Sequence, residues 1–173
     1  MRGCAGFKGL ETNTKQLNKI NVDGVYNTVL PIIGNFKERK SGQIVVVASL
    51  SALYDFPRAL SYSAGKSALL VYFRGLRQVL SAYDVKVNTI VPGFVETAFT
   101  AHTRARGGPV PFLLQSNAAI DIIYEGLQNN DGVIAFPLPL YLAVIILHSL
   151  PPQFQAYINN VVAPKVVSWQ HLG

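Results

Sequence analysis

A run of uncharged, β-branched residues limits more than any other feature what this chain can fold into. The run reads IVVVA at residues 44–48 and is apolar at successive positions, which predicts a strand buried on both faces. Such strands are typical of parallel sheets that helices cover on both sides. A second segment rich in β-branched residues, at residues 85–91, predicts another strand, and helical periodicity predicts a helix from Asn13 or Thr14 to about Lys40. The chain is therefore predicted to be an α/β protein.

A tyrosine and a lysine stand four residues apart in SYSAGK, at residues 61–66. On a helix this spacing places Tyr62 and Lys66 on one face, about one turn apart. A nearby ammonium favours the phenolate form of a tyrosine, whose ordinary pKa is about 10. Ser49, which ends the first strand, can donate a hydrogen bond to the same substrate oxygen. These groups suit proton transfer to or from a carbonyl or hydroxyl oxygen, although the same spacing also occurs where a packed ring lies beside a solvated amine.

The order of elements around this pair resembles the short-chain dehydrogenase/reductase family. Ser49 lies thirteen positions before Tyr62, as is usual in that family, and Asn21 matches the asparagine of the family's central helix. PGFVET at residues 92–97 matches the family's PG-x-V-x-T segment. The resemblance spans residues 4–137 and implies a doubly wound, Rossmann-like parallel sheet flanked by helices.

The glycine-rich turn with which this family holds a dinucleotide is not found in the sequence. No G-x-x-x-G-x-G or G-x-G-x-x-G pattern follows a predicted strand. We therefore interpret the resemblance as limited to the C-terminal, catalytic half of the family's domain, with the N-terminal dinucleotide-binding half missing. On this interpretation residues 1–137 form a truncated Rossmann-like domain. Residues 138–173 form a hydrophobic helical extension packed on it or on a partner.

The resemblance implies a role for each of four polar side chains. Tyr62 would be the general acid or base, and Lys66 would lower its pKa. Ser49 would position the substrate oxygen, and Asn21 would complete a proton relay.

The resemblance also implies NAD or NADP as the cofactor, although the absence of a glycine-rich turn leaves open that no cofactor binds. The residues that would contact a nicotinamide ring are Pro92, Gly93, Val95 and Thr97. The residues expected to line a pocket for a small apolar substrate are Ser51, Leu53, Phe56 and Phe94.

The distribution of charged and metal-binding residues excludes several classes of function. The net charge is +6, but the basic residues are scattered and do not alternate with aromatic residues, so nucleic-acid binding is not expected. Cys4 is the only cysteine, so no intrachain disulfide can form. The histidines His102, His148 and His171 are too dispersed to predict a metal site. Because the N-terminus has no apolar signal core, we expect a cytoplasmic protein.

The last quarter of the chain is uncharged over a long segment, since residues 133–164 contain no Lys, Arg, Asp or Glu. Its most apolar run, at residues 139–147, is shorter than the about 20 residues that a membrane-spanning helix needs. It predicts a buried helix or a subunit contact, or else a helix that lies on a membrane surface through residues 138–150.

Three functions remain open at this point. The first is an NAD(P)-dependent oxidoreductase, as the resemblance implies. The second is an isomerase, cyclase or dehydratase that uses the same tyrosine without a cofactor. The third is a non-catalytic partner subunit. In each case the uncharged strand at residues 44–48 would be a sheet edge, which we expect a second copy or a partner chain to cover.

Overall fold

Three parallel strands form the centre of the protein. The computed structural model describes residues 3–54, 59–105 and 110–162. The strands are β1 (Gly42–Val47), β2 (Val85–Pro92) and β3 (Val133–Phe136), in the spatial order β1-β2-β3. In the register, Val45 lies opposite Asn88, and Thr89 lies opposite Val133. The predicted α/β class, with a parallel Rossmann-like sheet flanked by helices, is confirmed.

The helices of the described residues lie before, between and after these strands in the chain. In chain order they are α1 (Gly3–Asn18), α2 (Gly24–Val29), α3 (Ile33–Glu38), α4 (Leu60–Leu80), α5 (Ala98–Ala105), α6 (Ser116–Gln128), α7 (Leu138–Ser149) and α8 (Pro152–Val162). A π-helical turn, Lys19–Asp23, joins α1 to α2. Shorter 3-10 turns are Leu30–Ile32, Leu50–Leu53 and Ser81–Tyr83.

The first helical segment begins earlier than predicted, because α1 starts at Gly3 rather than at Asn13 or Thr14. Thr14 does not begin the helix: its hydroxyl donates to the Leu10 carbonyl at 2.7 Å, and the same oxygen lies 2.6 Å from Oγ of Ser61. A polar residue that could cap a helix thus serves as a contact between α1 and α4. The prediction was wrong because this tertiary contact cannot be seen in local sequence.

Helices α2 and α4 cover one face of the sheet. The buried residues of this layer are Val29, Ile44, Val46, Leu69, Phe73, Leu80, Val85 and Val87. Leu69 and Phe73 of α4 are completely buried, at 0% exposure. Full burial of each such side chain contributes about 1.5–3 kcal/mol. This layer therefore fixes the position of α4 against β1 and β2.

Helix α6 covers the opposite face, but only over β2 and β3. Its contacts involve Ala119 on the helix and Ile90 and Ile134 on the strands. On this same face Val45 and Val47 of β1 are 40% and 50% exposed. The prediction that this strand is buried on both faces is therefore wrong for the described residues, since no helix among them reaches that side of β1.

A polar cluster holds the amino ends of the strands together. Arg77 of α4 donates to the carbonyls of Val87 at 2.7 Å and of Asn130 at 2.6 Å. Asn88, which is fully buried in β2, donates to the Asp131 carbonyl at 2.7 Å. These bonds satisfy buried polar groups and anchor the turn before β3. The candidate site residues Ser49 and Tyr62 lie at the opposite end of the sheet, near the carboxyl end of β1.

The uncharged C-terminal region forms α7 and α8, of which α7 packs onto the sheet layer. Leu140 and Tyr141 lie against the cluster that contains Ala48 and Leu50. Outward-facing side chains of these helices remain exposed, among them Leu142, Ile146, Phe154 and Tyr157. None of the helices in the described residues is both long enough and apolar enough to cross a membrane. The boundary at residue 137 stays a prediction.

We expect Phe73→Ala to reduce the free energy of unfolding by about 3–5 kcal/mol, because it opens a cavity in the layer between α4 and the sheet. The measurement is urea unfolding followed by circular dichroism. Val79→Ala is the matched control, because Val79 lies on the same helix and is 61% exposed. Equal losses in the two variants would contradict this assignment of the core.

Candidate active site

The carboxyl end of β1 and the first turns of α4 bring three of the predicted residues together. Ser49 lies two residues after the end of β1 and has an extended backbone, and its Oγ accepts a hydrogen bond from the Ser51 N–H at 3.2 Å. The Ser49 side chain is also hydrogen-bonded to Tyr62, which lies near the start of α4. The carboxyl end of β1 therefore places Ser49 beside Tyr62, the residue with which it was predicted to act.

Burial decides the protonation of Tyr62 in this arrangement. Removal from solvent raises the pKa of Tyr62 above its ordinary value, because the charged phenolate loses hydration. The hydrogen bond with Ser49 lowers the pKa, and this effect is the smaller of the two. At neutral pH Tyr62 is thus a protonated phenol, ready to donate a proton.

Lys66 lies one turn further along α4, but its amine is directed to the backbone. Nζ of Lys66 donates to the Val47 carbonyl at 2.9 Å and lies 5.9 Å from the centroid of the Tyr62 ring. Burial lowers the pKa of Lys66 below its ordinary value. The role in lowering the pKa of Tyr62, which the resemblance implies, therefore stays a prediction.

Asn21 lies on the π-helical turn between α1 and α2, against α4. The two elements are in close contact at Gly65, where a Cβ would lie at van der Waals distance from the π-helical turn, 3.5 Å from Cγ2 of Val22 and 3.9 Å from Cβ of Asn21. Asn21 is consequently held beside the residue that precedes Lys66. π-Helical turns are frequent at functional sites. The structure thus brings all four predicted polar residues to one region.

The predicted nicotinamide-contacting residues lie at the carboxyl end of β2 and just beyond it. Pro92 ends β2, and the Gly93 N–H donates to the Phe136 carbonyl at 2.7 Å. A Cβ at Gly93 would lie 2.9 Å from Cδ2 of Leu140 and 3.1 Å from Cδ1 of Leu50. Glycine is needed here because these apolar side chains already fill the space that a Cβ would take.

Thr100, which the sequence did not indicate, fixes the positions of Val95 and Thr97, the other two predicted nicotinamide-contacting residues. Its Oγ1 donates to the Val95 carbonyl at 2.6 Å and accepts from the Thr97 N–H at 2.9 Å. Thr100 itself is buried. The T-x-x-T spacing at the start of α5 was a usable signal, since threonine hydroxyls often bond to backbone groups at helix starts.

The predicted substrate-pocket residues are only partly placed. Ser51 and Leu53 belong to the 3-10 turn after Ser49, and Leu53 packs against the cluster that contains Leu50. Phe94 is half-buried and its carbonyl accepts from the Leu114 N–H at 2.9 Å. Phe56 lies outside the described residues.

Tyr54 makes a long-range contact that the sequence did not indicate. It is buried, and its hydroxyl donates to Oδ1 of Asn159 in α8 at 3.1 Å. This bond joins the loop after Ser49 to the C-terminal helices over 105 residues of sequence. No local pattern could have revealed it.

Comparison with known proteins gives this arrangement a family context. A family model described as short chain dehydrogenase matches residues 5–107. An uncharacterized oxidoreductase of Myxococcus xanthus is 32% identical over 137 residues, which are 79% of this chain and 53% of the relative. Human 17-beta-hydroxysteroid dehydrogenase 13 is 26% identical over 158 residues, which are 88% of this chain and 52% of that protein. The chain thus spans about half the length of these curated relatives.

Solved structures show the same fold. A short-chain dehydrogenase from Streptomyces avermitilis superposes with a TM-score of 0.68 at 18% identity, covering 89% of this chain and 62% of that one. A short-chain dehydrogenase from Burkholderia cenocepacia in complex with NADP gives a TM-score of 0.66 at 22% identity, covering 86% of this chain and 59% of that one.

One expectation from the sequence has to be corrected. The resemblance was interpreted as limited to the C-terminal half of the family's domain, but the match at residues 5–107 covers its Rossmann-like, cofactor-binding half. The interpretation was wrong because it relied on a single loop motif, and the absence of one glycine-rich turn does not establish which strands and helices a chain contains. The extent of the match, more than half of the chain, shows that the chain belongs to the short-chain dehydrogenase family.

Proposed function

We propose that this chain carries the proton-transfer site of an NAD(P)-dependent oxidoreductase that interconverts a carbonyl and a hydroxyl group on a small apolar substrate. The observation that carries the proposal is the hydrogen-bonded pair of Ser49 and Tyr62 at the carboxyl end of the sheet, with Lys66 one turn further along α4. Ligands of open α/β sheets bind at this end of the strands. Membership of the family supports the same reaction class.

The chemistry of the site follows from the protonation of its groups. In the reducing direction the neutral Tyr62 phenol donates its proton to the substrate oxygen as negative charge develops there. The Ser49 hydroxyl lies next to the phenol and can hold that oxygen in place. In the oxidising direction Tyr62 must first lose its proton, so its raised pKa makes the site a better acid catalyst than base catalyst at neutral pH.

The residues at the end of β2 fit one end of a nicotinamide cofactor. When bound, the cofactor would supply or accept the hydride. The Thr97 side chain is exposed, and its Oγ1 lies 3.4 Å from Oγ1 of Thr100, too far for a strong hydrogen bond, so the hydroxyl can bind a carboxamide. The sequence holds no glycine-rich turn after a strand, so it does not identify which groups would hold the phosphates.

Several solved structures with this fold support the choice of cofactor, since they contain bound NAD, NADP or NADPH. The apolar character of the substrate is supported by the side chains next to Ser49. Leu50 follows it directly, and Leu53, Leu140 and Tyr141 pack against the buried cluster that contains Leu50. A substrate carbonyl that reaches Ser49 would pass close to this apolar cluster.

A second candidate is a cofactor-independent isomerase, cyclase or dehydratase. The observation that favours it is the state of the two key groups: Tyr62 is a neutral phenol bonded to a serine, and Lys66 is bonded to a backbone carbonyl. A neutral phenol can protonate an enolate or a leaving hydroxyl without any hydride transfer. Assays with and without nucleotide separate the two candidates.

The first prediction of this site concerns Tyr62 itself. The phenol absorbance at 295 nm, measured as wild type minus Tyr62→Phe, should titrate with a midpoint above about 10, because burial disfavours the phenolate. Ser49→Ala should move this midpoint further up, because it removes a hydrogen bond that lowers the pKa. A midpoint below 10 in the wild-type chain would contradict the assignment.

The same shift predicts how stability depends on pH. A phenol whose pKa is raised by folding contributes stability that is complete below the unfolded-state pKa of about 10 and is lost as the pH rises through the folded-state pKa. The fall in unfolding free energy above pH 10 should therefore be smaller in Tyr62→Phe. Urea unfolding of both proteins from about pH 8 to about pH 11 measures this difference, because the range includes the reference pKa of about 10. If the unfolding free energies of the two proteins fall in parallel as the pH rises, the raised pKa of Tyr62 is refuted.

Activity is the decisive test of the proposed function. Calorimetric titration with NADH and NADPH should detect binding, and reduction of apolar ketones should fall about 10²–10⁴-fold in Tyr62→Phe, the usual loss for a general acid. Tyr72→Phe is the matched control, since Tyr72 lies on α4 but is exposed. Turnover without nucleotide that is lost in Tyr62→Phe would favour the cofactor-independent candidate. Full activity in Tyr62→Phe would refute both.

A further inference from the structure

The 3-10 turn that follows Ser49, Leu50–Leu53, is held to α4 by a side-chain hydrogen bond. The turn begins where the Ala52 N–H donates to the Ser49 carbonyl at 2.9 Å. Oγ of Ser67, on α4, donates to the Ala52 carbonyl at 2.6 Å. The helix that carries the phenol thus also holds the turn that follows the serine. A single bond to the middle of the turn does not fix the position of its far end, at Tyr54.

The far end of the turn is attached to α8. Tyr54 follows the turn directly and is 3% exposed, and its hydroxyl donates to Oδ1 of Asn159 at 3.1 Å. Either polar group would keep its desolvation cost if the other were removed, so the bond is expensive to lose. Since the packed ring has little freedom to reorient, a displacement of α8 would displace the turn or break this bond.

A further pair of hydrogen bonds fixes the corner between α7 and α8. Nε2 of Gln155 donates to the carbonyls of His148 at 3.0 Å and of Leu150 at 2.7 Å, at the end of α7 and just beyond it. Carbonyls at the end of a helix lack partners within the helix, so a side chain that binds them fixes the chain direction there. The two helices thus form a braced unit, which we call the C-terminal hairpin (residues 138–162).

The other helix of the C-terminal hairpin contacts the start of the same turn. Leu140, in the first turn of α7, packs against the buried cluster that contains Leu50. It also lies close to Gly93, where a Cβ would be 2.9 Å from Cδ2 of Leu140. The hairpin therefore holds the start of the turn through α7 and its end through α8. Because Ser49 directly precedes Leu50, its position depends on both contacts.

We propose that Tyr54 and Asn159 are positioning residues of the active site, which act through the turn to hold the Ser49 hydroxyl beside Tyr62 and the substrate oxygen. On this proposal the C-terminal hairpin supports the site as well as covering part of the sheet layer. The proposal rests on the proposed function for the reaction that Ser49 serves. The link from Asn159 to Ser49 does not depend on which reaction that is.

The geometry of the Ser49 hydroxyl explains why a remote bond affects the site. Its hydrogen bond with Tyr62 depends steeply on distance and angle, as all such bonds do. A displacement of the turn by about 1 Å is enough to weaken this bond and to misplace the substrate oxygen. The packing of α4 on the sheet through Leu69 and Phe73 involves other residues and would persist. Loss of the Tyr54–Asn159 bond should therefore impair the site without unfolding the chain.

Titration of Tyr62 tests the link without any assay of activity. Asn159→Leu removes the acceptor and keeps the approximate side-chain volume. The Tyr62 midpoint, from the phenol absorbance with and without Tyr62→Phe, should rise in the same direction as in Ser49→Ala, and no further, because the Ser49 bond that lowers the pKa is weakened. In the Ser49→Ala background Asn159→Leu should cause no additional rise. Gln153→Leu is the matched control, since Gln153 is an exposed amide on α8.

Steady-state kinetics with NADPH and apolar ketones tests the consequence for catalysis. Asn159→Leu and Tyr54→Phe should each lower kcat about five-fold, the usual effect of one hydrogen bond, and should change KM less than about two-fold. The double variant should be no worse than either single variant, because both remove the same bond. Tyr54→Phe keeps the buried ring, and circular dichroism confirms that each variant is folded.

Each outcome decides the proposal. It is overturned if the folded Asn159→Leu chain titrates as wild type, if its effect persists in Ser49→Ala, or if Gln153→Leu has the same effect. A rise of the Tyr62 midpoint that requires Ser49, in a chain that reduces no ketone, upholds the positioning role and refutes the proposed function. Ketone reduction that neither Asn159→Leu nor Tyr54→Phe impairs upholds the proposed function and overturns the positioning role.

Discussion

The packing of α4 on β1 and β2 is the contact on which the rest of the structure depends. Leu69 and Phe73 are fully buried against the strands, and they fix both the height and the rotation of the helix. Tyr62 and Lys66 lie on the preceding turns of the same rigid element, so their positions beside Ser49 follow from that core. A helix that shifted by one residue would bury the same apolar area poorly and would carry the phenol away from the serine.

Burial and charge act in opposite directions on the phenol at this site. Burial raises the pKa of Tyr62, and the hydrogen bond from Ser49 offsets only part of that effect. The positive charge that could reverse the balance lies close by, but the Val47 carbonyl holds it. The pKa of Tyr62 therefore depends on the position of the Lys66 ammonium. The edge of β1 helps to set that position through the Val47 carbonyl.

Local patterns predicted the fold class, while the roles of the site residues stay predictions. Segments rich in β-branched residues located β1 and β2, and the i,i+4 spacing placed Tyr62 and Lys66 on one helix, because both signals depend only on neighbouring residues. Long-range contacts were not predictable. Helix α1 starts early and uses Thr14 to contact Ser61, and Tyr54 binds Asn159 across most of the chain. The direction of the Lys66 amine depends on which backbone carbonyl is left unpaired, and the sequence does not show that.

The exposed position of β1 accounts both for the incorrect prediction of its burial and for the contact that Lys66 makes. The sequence predicts a strand suited to the inside of a parallel sheet, and the described residues place that strand at its boundary. Val45 and Val47 are consequently exposed on one face, although β-branched apolar side chains at successive positions are typical of strands covered on both faces. At the carboxyl end of the same strand the Val47 carbonyl accepts from Nζ of Lys66. The position of the Lys66 amine is therefore set by the edge of the sheet as well as by α4.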